Sequence, residues 1–141
     1  IGRQSSMETI REQYGTNVTM EDCLPIISHN QRNVSSILVE VPENLDVEAN
    51  DLIEIVEASF SSPTYEVLKR SDEAKVVLQA HREPKFVEDV VRTMLVKVLE
   101  RYSDLPDETM VTVRSESEES IHKHNAFAER VTTLGDIRAG M

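Results

Sequence analysis

The segment FVEDVVRTMLVKVLE, residues 86–100, carries the clearest periodicity in the chain. Phe86, Val90, Met94 and Val98 recur at four-residue steps, and Val87, Val91 and Leu95 widen this row. The spacing predicts a helix, because residues three and four apart share one face of an α-helix. An apolar face this broad is typical of a helix that covers a sheet.

A strand and a second helix are predicted on the N-terminal side of this helix. The segment VSSILVEV, residues 34–41, is rich in β-branched residues and predicts a strand that Pro42 ends. Residues 46–60 change to helical spacing, and Asp46 is placed to cap that helix. Residues 61–84 are helical in parts, and Pro84 forces a break before the next element.

The C-terminal part of the chain predicts a turn and two strands. The turn LPD at 105–107 is followed by alternating residues at 109–115 and again at 120–131. The order of one strand, two or three helices and two strands predicts an α+β fold, with an antiparallel sheet covered by helices on one face. Three strands are few for two long helices. We expect the missing strand within residues 16–33 or in a part of the protein outside this chain.

The N-terminal residues form a separate predicted region. Residues 1–24 are mostly polar, and a short helix is predicted at 5–14 with Gly15 as its stop. A loop then continues to Pro25. We therefore divide the chain into an N-terminal helix and loop, 1–24, and a main module, 25–141.

Composition excludes several functional classes. The chain has 141 residues and a net charge of −11, which repels nucleic-acid backbones, so no nucleic-acid partner is expected. No apolar run is long enough to cross a membrane. A single cysteine excludes a disulfide framework and fits a reducing compartment, so a cytoplasmic location is expected. A small anionic substrate stays possible, because a local basic patch can override the global charge.

Two histidines, His122 and His124, form the first candidate site. On a predicted strand they point the same way, beside the small residues Ala126 and Ala128. They could share a metal, or one could bind a metal while the other moves protons. The alternative is two solvent-exposed histidines on an edge strand, and the pattern alone does not decide between these interpretations.

The second candidate is SHNQR, residues 28–32. It places a metal-capable imidazole, His29, next to two amides and a guanidinium just before a strand. A capped turn with a surface arginine explains this pattern at least as well. Cys23 lies six residues earlier, and it could join His29 on a metal or could be a small buried side chain.

Carboxylates on the predicted helices form the third candidate. Glu88 lies at the start of the helix, where the helix dipole favours a negative charge. The functional alternative is a carboxylate that accepts hydrogen bonds from a ligand's N–H groups, as the edge of guanine would require. Glu73 is a further acidic candidate.

Taken together, four ordered segments resemble the type I-B GTP cyclohydrolases. They are SHNQR, SSPTYEVLKRSDE, FVEDVVR and EESIHKHNAFAE. The ending HNAFAERVTTLGDIR resembles the archaeal, MptA-type branch, which starts methanopterin synthesis, more than the bacterial folate branch. The resemblance covers about residues 24–138.

The resemblance implies a fold and an activity. It implies the tunnelling fold (T-fold), in which sheets backed by helices assemble side by side into barrels, with active sites between subunits. It implies a metal-dependent enzyme, Fe(II) first with Zn or Mn as alternatives. This enzyme opens the imidazole ring of GTP, releases formate and yields a dihydroneopterin phosphate, the 2′,3′-cyclic phosphate in the archaeal branch. The resemblance also implies a homo-oligomer, namely a tetramer.

The resemblance also implies roles for single residues. His29, Glu73 and His122 match the metal site, and His122 and His124 match groups that move protons. Glu88 matches the carboxylate that anchors the purine, and Gln31 and Arg32 belong to substrate binding. Lys69 and Arg70 are further candidates to offset the triphosphate charge.

One feature departs from the family. Members of the family carry a cysteine metal ligand upstream of SHNQR, which in the archaeal branch lies in a Cys-Pro-Cys type motif. This chain has no such motif. We therefore expect residues 1–141 to be the C-terminal portion of a protein about twice as long, whose N-terminal half supplies the cysteine. The alternatives are another purine- or pterin-acting T-fold enzyme and a non-catalytic module that helps to assemble a barrel.

Overall fold

The computed structural model describes Arg11, Glu12, Gly15 and residues 31–140. It divides into two compact units, residues 31–60 with 85–141, and residues 61–84 with the N-terminal residues. Most of the predicted helix at 5–14 lies outside the described residues. Gly15 has a φ of 89° and its N–H donates to the Arg11 carbonyl, which is typical of a helix end.

An antiparallel sheet of three strands forms the centre of the larger unit. The strands are β1 (Arg32–Glu40), β2 (Met110–Glu118) and β3 (Ala126–Thr133), in the order β1-β2-β3. The predicted α+β class is confirmed, and β1 ends before Pro42 as predicted. The extra strand expected within residues 16–33 falls mostly outside the described residues.

Helices cover one face of this sheet. They are α1 (Ala49–Glu57), α3 (Val87–Arg101) and the short α4 (Leu134–Gly140), whereas α2 (Arg70–Arg82) belongs to the smaller unit. Met94 and Val98 of α3 are fully buried, as are Val111 and Val113 of β2. The predicted helix-on-sheet packing is therefore confirmed, and it forms the hydrophobic core of the larger unit.

Two details of the predicted helices are wrong. Asp46 does not cap α1, because the helix begins after Glu48, which has extended backbone and makes no side-chain cap bond. Phe86 does not join the buried row of α3, because it is the residue before the helix and is 79% exposed. Its main-chain N–H donates instead to the Asp89 carboxylate at 3.1 Å.

The predicted turn at 105–107 leads into β2 and also holds α4. The Thr109 N–H donates to the Pro106 carbonyl at 3.1 Å. Gly135 approaches the turn so closely that an added Cβ would lie 3.0 Å from the Cβ of Asp107. Arg138 of α4 donates to the carbonyls of Ser103 and Leu105. The sequence pattern did not predict this last helix.

The predicted strand at 120–131 is wrong in its first half. β2 continues to Glu118, beyond the predicted end at residue 115, and its last pair with β3 joins Ser117 to Ala126. Residues 119–125 must therefore turn the chain between two antiparallel neighbours, and they form a loop.

None of the helices in the described part of the chain combines the length and the hydropathy that a membrane-spanning segment needs.

Candidate functional site

The helix-facing side of the sheet has an apolar half and a polar half. Val111 and Val113 form the apolar half under α3. Further along β2, Ser115 and Ser117 are buried, and their partners on β3 are alanines. Ser35 of β1 donates to Ser115 at 2.9 Å. Hydroxyl groups and small side chains therefore line the sheet on the side that leads to the 119–125 loop.

Gln31 connects this polar half to the loop. Its side-chain oxygen accepts a hydrogen bond of 2.6 Å from the Ser117 hydroxyl. Its side-chain nitrogen donates to the Glu119 carboxylate, at the first residue of the loop. The amide that we predicted for substrate binding is thus bonded within the protein on both of its ends, and it holds the start of the loop.

The two histidines of the predicted site lie together on this loop. The imidazole rings of His122 and His124 are stacked, with centroids 5.9 Å apart and planes at 29°. Both side chains are exposed. Their proximity was predicted from a strand on which alternate residues share a face. The structure brings them together through the loop, so the reason given for their proximity was wrong.

A network of polar contacts lies on the opposite face of the sheet, below the loop. Arg114 donates to the Glu116 carboxylate at 2.9 Å and stacks on the ring of Phe127, 4.2 Å from its centroid. Asn125 donates to the other oxygen of Glu116 at 3.0 Å. The hydrogen bond from Asn125, followed by that from Arg114, lowers the pKa of the Glu116 carboxyl below its ordinary value.

The other predicted site residues are placed as follows. Glu88 is exposed in the first turn of α3, and Arg32 is exposed at the start of β1. Glu73 is exposed in the first turn of α2, and Lys69 and Arg70 begin that helix. These last three belong to the smaller unit, and His29 and Cys23 lie outside the described residues.

The donor chemistry of the loop fits a divalent metal. Two adjacent imidazoles are ligands that Fe(II), Zn and Mn accept, and a carboxylate, Glu119, lies on the same loop. No group of three or more His, Cys, Asp or Glu residues within the described ranges is arranged to hold a metal ion.

Sequence reasoning gave no role to four residues that shape this site. Ser117, Glu119, Glu116 and Asn125 fix the loop that carries the histidines. Glu119 and Asn125 stand within the motif EESIHKHNAFAE, on either side of the histidines. The sequence therefore contains an acidic residue and an asparagine on either side of the histidine pair. Only the folded loop, in which the Glu119 N–H donates to the Asn125 side chain, shows that these two residues hold the loop together.

Comparison with known proteins gives one consistent result. A family model described as type I GTP cyclohydrolase folE2 matches residues 5–128. The chain is 53% identical over 117 residues to the GTP cyclohydrolase MptA of Methanobrevibacter smithii, an alignment that covers 83% of this chain and 38% of the relative.

Two further relatives carry the same name. The protein of Methanothermobacter thermautotrophicus is 49% identical over 136 residues, covering 96% of this chain and 42% of the relative. The protein of Methanocaldococcus jannaschii is 50% identical over 117 residues, and the alignment covers 83% of this chain and 37% of the relative. The chain therefore spans about two fifths of the length of these relatives.

Proposed function

The chain belongs to the type I GTP cyclohydrolase family, and we propose that the protein containing it is a metal-dependent GTP cyclohydrolase of the archaeal, MptA type. A first water adds at C8 of guanine and breaks one C8–N bond, which leaves a formamide, and a second water hydrolyses the formamide and releases C8 as formate. The freed amine then closes a new ring with the sugar carbons, which releases one water, and a sugar hydroxyl attacks the α-phosphorus, which expels pyrophosphate. The product is a dihydroneopterin phosphate, the 2′,3′-cyclic phosphate. The observation that carries the proposal is the stacked pair of exposed imidazoles in a chain of this family.

His122, His29 and Glu73 are the residues that we assign to the metal. Imidazole and carboxylate donors suit Fe(II), Zn and Mn alike, and the family resemblance favours Fe(II). A divalent cation, when bound, supplies Lewis acidity, which makes water a stronger nucleophile at neutral pH. The cysteine expected by resemblance would come from the part of the protein outside this chain.

Proton transfer and substrate orientation are assigned to this chain's own side chains. The ring nitrogens of the substrate need protons as their bonds to C8 break, and the imidazole of His124 or His122 can donate them. Glu88 can accept hydrogen bonds from the N–H groups of guanine, since its carboxylate is exposed. Arg32, which is also exposed, can offset the charge of the triphosphate.

Assembly into a T-fold barrel belongs to the same proposal. Each edge of the described sheet is a long strand, β1 on one side and β3 on the other. Such edges are covered in most proteins, because they present unpaired main-chain groups. The face away from the helices exposes four apolar side chains, Val34, Leu38, Phe127 and Val131. We propose a homo-oligomer that also includes the N-terminal half of the protein, and the family resemblance implies a tetramer.

The test is an anaerobic assay of the full-length gene product with GTP and Fe(II). Formate is measured enzymatically, and the pterin is identified by fluorescence and mass. Formate with the cyclic phosphate supports the whole proposal, and formate with a different pterin phosphate supports only the ring opening. Release of no formate with Fe(II), Zn or Mn would refute the proposal, and would favour another pterin substrate or a non-catalytic module.

A further inference from the structure

The loop that carries the histidines has little apolar burial to stabilise it. Residues 120–125 are all exposed, and its largest apolar side chain, Ile121, is 66% exposed. Loops with few buried contacts open locally at low free-energy cost. The position of the two imidazoles therefore depends on the hydrogen bonds that hold the loop to the sheet.

Asn125 closes this loop at its base. Its side-chain oxygen accepts a hydrogen bond of 3.3 Å from the main-chain N–H of Glu119, the first residue of the loop. Its side-chain nitrogen donates to the Glu116 carboxylate on β2 at 3.0 Å. One side chain thus joins the last residue of the loop both to the first residue and to the sheet.

The two partners of Asn125 require an amide. The N–H of Glu119 needs an acceptor, and the Glu116 carboxylate needs a donor. Asparagine offers both groups in one plane. Aspartate has nearly the same shape but no donor when ionised, and it would place a second negative charge next to Glu116.

Glu116 is itself held in place. Its second carboxylate oxygen pairs with Arg114, which lies over the ring of Phe127 on β3. Arg114 also approaches the Glu129 carboxylate at 3.6 Å. The acceptor of the Asn125 hydrogen bond is therefore fixed to two strands of the sheet, so the loop is attached to a rigid part of the protein.

We propose that Asn125 and Glu116 are positioning residues that hold the loop, and with it His122 and His124, in the conformation that catalysis uses. Neither residue touches the substrate in this account. The catalytic part of the inference rests on the proposed GTP cyclohydrolase function, whereas the structural part does not. On the helix-facing side, the bond from Gln31 to the Glu119 carboxylate complements this attachment.

The test compares matched variants of the full-length protein. Asn125→Asp removes the donor, and Asn125→Asp with Glu116→Gln restores the hydrogen bond in the reverse direction, since the new amide can donate to the new carboxylate. Asn50→Asp makes the same substitution, with the same change of charge, at an exposed position of α1. Amide hydrogen exchange of residues 119–125, and kcat and KM for formate release, are measured for each variant.

We expect Asn125→Asp to accelerate exchange in the loop about three- to tenfold for each hydrogen bond lost. It should lower kcat at least tenfold, with KM for GTP within about twofold of the parent, because the loop positions reacting groups and does not hold the nucleotide. The double variant should recover slow exchange and most of kcat, and Asn50→Asp should match the parent.

Three results would overturn this inference. They are unchanged exchange in Asn125→Asp, kcat equal to that of the Asn50→Asp control, or a double variant no better than the single one. A parent protein that releases no formate would refute the proposed function instead. In that case the exchange measurements still decide whether Asn125 and Glu116 hold the loop.

Discussion

His122 is the residue on which the proposed chemistry depends most directly. Its imidazole is exposed, stacks on His124, and belongs to both the metal and the proton-transfer assignments. His122→Ala should lower kcat for formate release by at least the 10²- to 10⁴-fold typical of a lost acid–base group. The Tm of the His122→Ala protein should stay close to that of the parent, because an exposed side chain on a loop contributes little packing.

A neighbouring substitution controls for this experiment. Ser120→Ala changes another exposed residue of the same loop and should leave kcat and Tm at parent values. If His122→Ala retained parent turnover under saturating Fe(II), His122 would have no part in the mechanism. If both variants lost activity together with Tm, the loss would report unfolding.

Glu88 is the proposed purine anchor, and its placement allows a clean substitution. It is exposed in the first turn of α3, so Glu88→Gln removes charge without opening a cavity. Hydrogen bonds to a charged group contribute about 1.5–3 kcal/mol each, so Kd for GTP should rise about tenfold or more. Isothermal titration with GTP measures this change.

The same helix provides a control for Glu88→Gln. Glu100→Gln removes an exposed carboxylate at the far end of α3 and should leave Kd for GTP unchanged. Equal affinities of the parent and Glu88→Gln proteins would show that another group recognises guanine. A parallel gain of affinity in both variants would show that net charge, and not a specific contact, sets the affinity, because each substitution removes one negative charge from an acidic protein that binds an anion.

At the scale of elements, α3 determines the stability of the larger unit. Met94 is fully buried between this helix and the sheet, so Met94→Ala leaves a cavity. The free energy of unfolding should fall by about 2–5 kcal/mol. Val96 of the same helix is 36% exposed, so Val96→Ala should lower the free energy of unfolding by less than about 1 kcal/mol. Urea unfolding followed by circular dichroism measures both changes, and similar midpoints would contradict this packing.

Elements that contribute directly to the core were predicted from the sequence. Apolar residues recur in α3 because they face the sheet, and β-branched residues accumulate in β1 because its side chains alternate between faces. The same argument failed at 120–125, the first half of the predicted strand at 120–131. Exposed residues such as Ile121 and Lys123 alternate there without any burial to make the alternation meaningful.

The sequence predicted which histidines belong to the candidate site but not how the structure arranges them. Both histidines of the loop were identified, but their arrangement depends on where β2 ends and on the hydrogen bonds of Asn125. Such bonds join residues up to nine positions apart, and no local periodicity reports them. The role of Gln31 was hidden for the same reason, because its partners Ser117 and Glu119 lie 86 and 88 positions further along the chain.

At the scale of the whole molecule, the chain and its proposed substrate carry charges of the same sign. The chain has a net charge of −11, and GTP is itself an anion. The proposed binding of GTP would therefore depend on local cations such as Arg32 and on the rest of a protein of which this chain, by comparison with its named relatives, spans about two fifths. The proposed metal would add positive charge at the same place, because a bound ion is often the largest local charge in a site.

The face of the sheet away from the helices allows a test of the proposed assembly. Leu38 is 56% exposed there, and a barrel built from neighbouring sheets would cover it. Leu38→Glu should therefore shift the mass of the full-length protein towards smaller species, because burying an unpaired charge is costly. Ile53→Glu places the same charge on α1, at a residue that is 54% exposed, and should keep the parent mass. Light scattering after size-exclusion chromatography measures both. A parent mass for Leu38→Glu would show that this face stays in solvent, and a reduced mass for both variants would show that added charge alone disrupts the assembly.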